Sequence, residues 1–94
     1  MKQYKVTLYI GSPNDTRQID SDYLSKIRTW ADAHLEATTM LRGTGTWHGT
    51  SEDTILLVHI ADSPIEDKHI GELKRILNQE CIMVECQEVD IQFI

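Results

Sequence analysis

Gln3-Tyr4-Lys5-Val6-Thr7-Leu8-Tyr9-Ile10, followed at once by Gly11-Ser12-Pro13-Asn14-Asp15, decides how the rest of the chain is read. Val6, Leu8 and Ile10 alternate with Lys5, Thr7 and Tyr9, the period of a strand with one face in a core and one outside it. The stop is a dense turn signal, because Gly and Pro break regular pairing and Asn and Asp favour turns. A strand of this kind needs another layer over its apolar face, and the following segments must supply it.

Asp20 or Ser21 caps a helix in which Tyr23/Leu24, Ile27, Trp30/Ala31 and Leu35 recur every three or four positions. β character returns at Thr38-Thr39-Met40-Leu41, gives way to the Gly-rich run from Gly43 to Gly49, and resumes from Thr54 to Ala61. Two strands joined by a long loop are expected. Ser63 and Pro64 open a second helix from Ile65 to about Leu77, with Ile65, His69/Ile70, Leu73 and Ile76/Leu77 on one face. In the last segment Ile82, Val84 and Cys86 share a face, as do Val89, Ile91 and Phe93 after a slip near Gln87-Glu88, with room for a tail strand.

The order is therefore βαββαβ. Two amphipathic helices must bury their apolar faces on one side of an antiparallel sheet, and right-handed crossovers leave few topologies. The expected fold is α+β: a ferredoxin-like βαββαβ sandwich, with two helices on one face of the sheet and residues 1–94 as one domain. Lys5, Thr7 and Tyr9 then lie on the uncovered face, a mixed surface suited to another subunit.

With 94 residues, 40% hydrophobic and 26% charged, the chain has the usage of a folded domain with one core. A core of this size is marginal, so association between copies would help it. A net charge of −6 argues against a polymeric nucleic-acid partner, whose backbone is held by clustered Lys and Arg. Met1 to Thr7 lacks the apolar stretch of a signal peptide, and the longest apolar run, Ile55 to Val58, is far below the roughly 20 residues of a bilayer span. A cytoplasmic protein with no membrane segment is expected. Cys81 and Cys86 read as strand residues on opposite faces, roughly 17 Å apart at about 3.4 Å per residue; they cannot pair there, and reduced thiols fit that compartment.

In this topology the end of the first strand, the loop between the second and third, and the end of the second helix meet at one edge. Gly11 to Arg17, Arg42 to Asp53 and Gln79-Glu80-Cys81 converge there. Arg42-Gly43-Thr44-Gly45-Thr46-Trp47-His48 combines close backbone approach at glycine, hydroxyl and imidazole hydrogen bonding, a planar fork for phosphate and a stacking face. This suits a nucleotide-like ligand; equally, it describes a flexible hairpin anchored by Trp47. Neither the dinucleotide glycine spacing nor the phosphate-loop Lys-Ser/Thr is present. Tyr9, Ser12, Asn14 and Arg17 join the candidate set from the first strand and its loop, Glu52 from the third strand's approach, and Gln79 and Glu80 from the end of the second helix. Glu52 and Asp53 read as an acid, base or ribose-accepting pair, or as solvated carboxylates.

His34, His48, His59 and His69 show no zinc-ligand spacing, and no metal or cofactor is expected. His59, inside an apolar strand, reads as a buried or interface residue. No nucleophile elbow or Cys-His partnership appears, so no catalytic residue is assigned.

Around Ala37-Thr38-Thr39-Met40-Leu41-Arg42-Gly43-Thr44-Gly45 the chain resembles the PII-like signalling proteins, in which a second strand ending in a Leu-Arg-Gly run leads into a long ligand-responsive loop. The resemblance implies a homotrimer binding a nucleotide, including cyclic nucleotides, or another small anion in clefts between subunits, with Arg42, Gly43 and Gly45 lining the cleft. Leu8-Tyr9-Ile10-Gly11, Gly43 to Trp47, Glu52 and Gln79-Glu80-Cys81-Ile82 are also similar to a family of short uncharacterised bacterial domains with a Gly-x-Gly-x-Trp loop, which implies no activity. The function expected is a non-enzymatic sensor or sequestering sponge for a small anionic or nucleotide-type ligand. The alternatives are a small dimeric α+β barrel enzyme using Tyr9 and His59 of the sheet, and an interaction module that docks through the Trp47 loop.

Overall fold

The computed structural model describes residues 2–94; Met1, where the amino-terminal reading begins, lies outside them. β1 (Lys2–Gly11), α1 (Ser21–His34), β2 (Thr38–Trp47), β3 (Thr50–Ala61), α2 (Asp67–Ile76) and β4 (Met83–Asp90) follow in the expected order. The sheet order is β2-β3-β1-β4, with every neighbouring pair antiparallel. This is the ferredoxin-like arrangement.

Register sorts the residues into two faces. On the helix side Leu8 stands opposite Leu57, Ile10 opposite Ile55 and Val6 opposite His59. These strands meet Ile19, Tyr23, Ile27, Trp30, Leu73 and Leu77 in one core, where burial removes apolar surface from water at about 25 cal/mol per Å². His59 is buried as expected, its Nδ1 2.8 Å from the carbonyl oxygen of Ala37. Among the described residues no helix covers the other face, although the segment after β4 brings Ile91 and Phe93 beside Val58 and Ile60 at one end of it. This face carries Tyr9, Leu56, Val58 and the exposed Leu41, Ile60 and Met83.

α1 starts at Asp20, whose carboxylate accepts the backbone N–H of Tyr23 at 2.9 Å, satisfying one donor of the first turn. α2 ends in a Schellman motif: Asn78 has φ of 54°, its N–H donates to the carbonyl of Arg75, and that of Gln79 to Lys74. This turn returns Gln79 toward the end of β1.

Three expectations change. The segment from Gly43 to Gly49 is not a long loop: β2 continues to Trp47 and β3 starts at Thr50. Only His48 (φ 48°) and Gly49 (φ 81°) turn the chain, the two-residue I′ connection whose twist matches a hairpin. β1 reaches only as far as Thr54, so the outer part of β2 and β3 projects as a two-stranded ribbon. The fold is accordingly extended, 42 × 28 × 22 Å. At the other end, β4 pairs with β1 in unbroken register from Met83 to Asp90, so there is no slip at Gln87-Glu88 and no tail strand after it. Cys81 precedes β4 rather than lying in it; both cysteines are free and exposed. No described helix is long and apolar enough to cross a membrane.

Candidate functional site

Gly11 ends β1 at the point where the ribbon leaves the sheet, and a network built on Tyr23 fixes this junction. The Tyr23 hydroxyl donates to the Gly11 carbonyl at 2.6 Å and accepts from Gln79 Nε2 at 3.1 Å. Gln79 Nε2 also donates to the Ser12 carbonyl at 3.0 Å, and the Ser12 N–H donates to the Asp53 carbonyl at 3.1 Å. Burial raises the Tyr23 phenol above its ordinary pKa, partly opposed by the Gln79 hydrogen bond and helped by the nearby Glu52 charge. β1, β3, α1 and the end of α2 are thus tied at one place. Ser12 is 2% exposed, and its Oγ has no hydrogen-bond partner among the described residues.

Strand alternation then decides what each ribbon residue does. Gly43, Gly45, Trp47, Thr50, Glu52 and Thr54 share the face continuous with Tyr9 and Gly11, whereas Arg42, Thr44 and Asp53 share the helix-side face. Arg42 is not the free phosphate fork that the sequence suggests. Its Nη2 donates to Asp53 Oδ2 and to the Ile19 carbonyl, both at 2.9 Å. The same carboxylate accepts the Ile19 N–H at 3.4 Å. These bonds, Arg42's first, hold the Asp53 carboxyl below the usual range. Glu52 and Asp53 are consequently not a carboxylate pair, since consecutive strand residues point to opposite sides.

What remains on the open side forms a shallow cleft of about 340 Å³, lined by Asn14, Arg17, Trp47, His48, Thr50 and Glu52, with Pro13 at its rim. Trp47 is 73% exposed and meets the His48 ring edge-on at 4.7 Å. Arg17, with φ of 57°, closes a turn by donating its N–H to the Pro13 carbonyl at 2.8 Å, and its guanidinium has no ion-pair partner among the described residues. Gly11 and Gly45 lie close to their neighbours: an added Cβ would stand 3.4 Å from Glu52 Oε1 and 2.9 Å from Thr54 Oγ1, respectively. Gly43 has open space above it.

The thirteen candidates therefore divide. Asn14, Arg17, Trp47, His48 and Glu52 come together in the cleft; Gly43 and Gly45 lie on its face of the ribbon. Ser12 and Gln79 belong to the supporting network. Arg42 and Thr44 face away, and Glu80 is exposed beyond α2. Tyr9 lies on the open sheet face, where its hydroxyl donates to Glu85 Oε1 at 2.9 Å; keeping that bond raises its pKa. Tyr23 and Thr50 were absent from the sequence-level set. Reading β3 back to Thr50 would have revealed Thr50 through its alternation with Glu52.

A second cluster lies at the other end of the helices. His34, His69 and Glu72 place their ligand-capable atoms within 4.8 Å of one another, a grouping invisible in the histidine spacing because His34 is on α1 and the others on α2.

No family model and no curated protein matches the chain. Among solved structures, a phage SAM lyase in complex with S-methyl-5'-thioadenosine is similar over 92% of this chain and 81% of its own, at 17% identity and a TM-score of 0.53. A de novo designed protein, Foldit4, aligns over 97% and 98% at 13% identity, with a TM-score of 0.38. The chain is thus similar in fold to the phage enzyme.

Proposed function

We propose that the protein binds a small nucleoside-type ligand in the cleft between the Pro13–Arg17 loop and the ribbon, acting as a sensor or sequestering binder. The observation that carries this reading is the convergence around one cleft of an exposed indole, a guanidinium without an ion-pair partner among the described residues, and a carboxylate. Trp47 offers a base a stacking surface, Glu52 accepts hydrogen bonds from a ribose diol, and Arg17 meets at most one anionic group. With Arg42 engaged by Asp53, Arg17 as the one free cation beside Glu52 among the described residues favours a nucleoside or monophosphate over a polyphosphate. The cleft is open on the side of the uncovered sheet, whose Leu41, Ile60 and Met83 are exposed. A second or third copy on this face would bury these residues and deepen the cleft, in keeping with the PII-like resemblance.

The S-methyl-5'-thioadenosine bound to the structurally similar phage enzyme favours a second reading, in which this chain is itself a SAM lyase. Turnover separates the two: a binder retains SAM intact, and a lyase releases S-methyl-5'-thioadenosine.

The test is a fluorescence titration of Trp47, against the buried Trp30 as background, with S-methyl-5'-thioadenosine, AMP, cyclic AMP and ATP, alongside native mass spectrometry for subunit number. S-methyl-5'-thioadenosine and the two monophosphates should bind more tightly than ATP. Measured by calorimetry, because the substitution removes the fluorescent reporter, Trp47→Ala should weaken binding by about 1–3 kcal/mol, the usual worth of one base–aromatic stack. Equal affinity in the wild type and Trp47→Ala, or preferred binding of ATP, would remove this assignment.

A further inference from the structure

We propose that His34, His69 and Glu72 form a binding site for a first-row divalent transition metal, with zinc as the reference ion, that clamps the end of α1 to the first turns of α2. The site is independent of the nucleoside cleft. α1 runs from Ser21 near that cleft to His34, so about 14 residues at roughly 1.5 Å each put some 20 Å between the two.

The donor set is the first argument. Two imidazoles and a carboxylate suit zinc, which commonly takes His and Glu with a further position left for water or another ligand. Water fills that position, since Glu66 Oε2, although 3.4 Å from His69 Nε2, is already paired with Lys68 Nζ at 3.3 Å. Separation is the second. Donors about 2.1 Å from a tetrahedral zinc stand about 3.4 Å apart, and His34 Nε2 is 3.3 Å from Glu72 Oε2. An ion can therefore sit between these two donors at their present separation.

Preorganisation is the third. His69 and Glu72 are three apart on α2, hence on one helix face. Trp30, one turn before His34, is 2% exposed and donates its indole N–H to the His69 carbonyl at 2.8 Å. That bond fixes α2 against α1; the His34 and His69 rings stack at 4.2 Å between centroids with 28° between their planes, so one imidazole turns about its side-chain torsions to aim its lone pair at a shared ion. The ligands are thus partly buried and held by the core rather than carried on loops.

The full chain with Cys81→Ser and Cys86→Ser, which removes the two competing exposed thiols, is titrated with Zn²⁺ by calorimetry and with Co²⁺ by visible absorption. Thermal unfolding is followed in parallel. One equivalent should bind, with Co²⁺ giving ligand-field bands. At about a hundredfold excess over Kd, the folded state should gain about a hundredfold over the unfolded, raising Tm on the order of 10 °C. Mg²⁺ should do neither. His34→Ala and the more exposed Glu72→Gln should each cost at least about tenfold in affinity, their metal-free Tm showing that both still fold. Absence of a Zn²⁺-dependent Tm shift, or a shift retained in both variants, overturns the site.

Discussion

Replacing Tyr23 by Phe removes one oxygen atom and tests whether the junction beneath the cleft is held as described. The ring keeps its place in the core, where Tyr23 is 6% exposed, so packing changes little. The Gly11 carbonyl loses the donor at 2.6 Å, and Gln79 Nε2 loses one acceptor while keeping the Ser12 carbonyl. Orphaning one partly buried carbonyl and weakening one amide costs roughly 1–3 kcal/mol. For a chain of this length, that corresponds to a fall in Tm of about 4–8 °C per kcal/mol. The pH dependence gives a separate signature. The phenol's raised pKa means that the folded state holds this proton longer than the unfolded state. Its contribution is complete below the unfolded value near 10 and is lost as pH rises through the folded value. Tm measured from about pH 7 to 11 should fall less steeply in Tyr23→Phe than in the wild type, with Tyr9 supplying a residual slope through Glu85. A double-mutant cycle with Gln79→Leu should show coupling between the two residues. Unchanged Tm, unchanged alkaline slope and strict additivity together would refute the network.

Asp53 titrates in the opposite sense. Arg42 and the Ile19 N–H lower its pKa, so its stabilisation is present above the ordinary carboxylate value and is lost as pH falls through the depressed one; Asp53→Asn should flatten the acid limb of Tm against pH. The ribbon glycines should separate under substitution. Gly43→Ala meets nothing and should stabilise by about 0.4–1 kcal/mol through the unfolded chain. Gly45→Ala brings a methyl to 2.9 Å from the Thr54 hydroxyl and should destabilise in denaturant melts, since β-branched Thr rotates with difficulty.

Much of the fold was legible because its signals are local. Val6, Leu8 and Ile10 alternate cleanly, the apolar residues of α1 recur at helical spacing, and Asp20 stands where a cap belongs, so element type and order follow from the backbone's two periods. The limits appeared where a local rule met a pairing partner. Gly43 to Gly49 carries loop-like composition, yet hydrogen bonds between facing residues such as Gly45 and Glu52 make it a ribbon, and only His48-Gly49 turns. The apparent slip at Gln87-Glu88 disappears for the same reason, because β1 holds β4 in one continuous register.

The candidate site shows the same division more sharply. Sequence identified Trp47, Arg17, Asn14, His48 and Glu52 as an unusual set and supplied the topology that brings them to one edge. It could not assign Arg42, because the partner Asp53 and the Ile19 carbonyl reach it only once α1's approach and β3 are packed together. Nor could it join His34 to His69 and Glu72, which share no periodicity and meet only where two helices lie side by side on the sheet. Residue types and alternating faces determine which groups are available. Tertiary packing determines which charge is neutralised, which remains free, and which distant side chains come within reach of one ion.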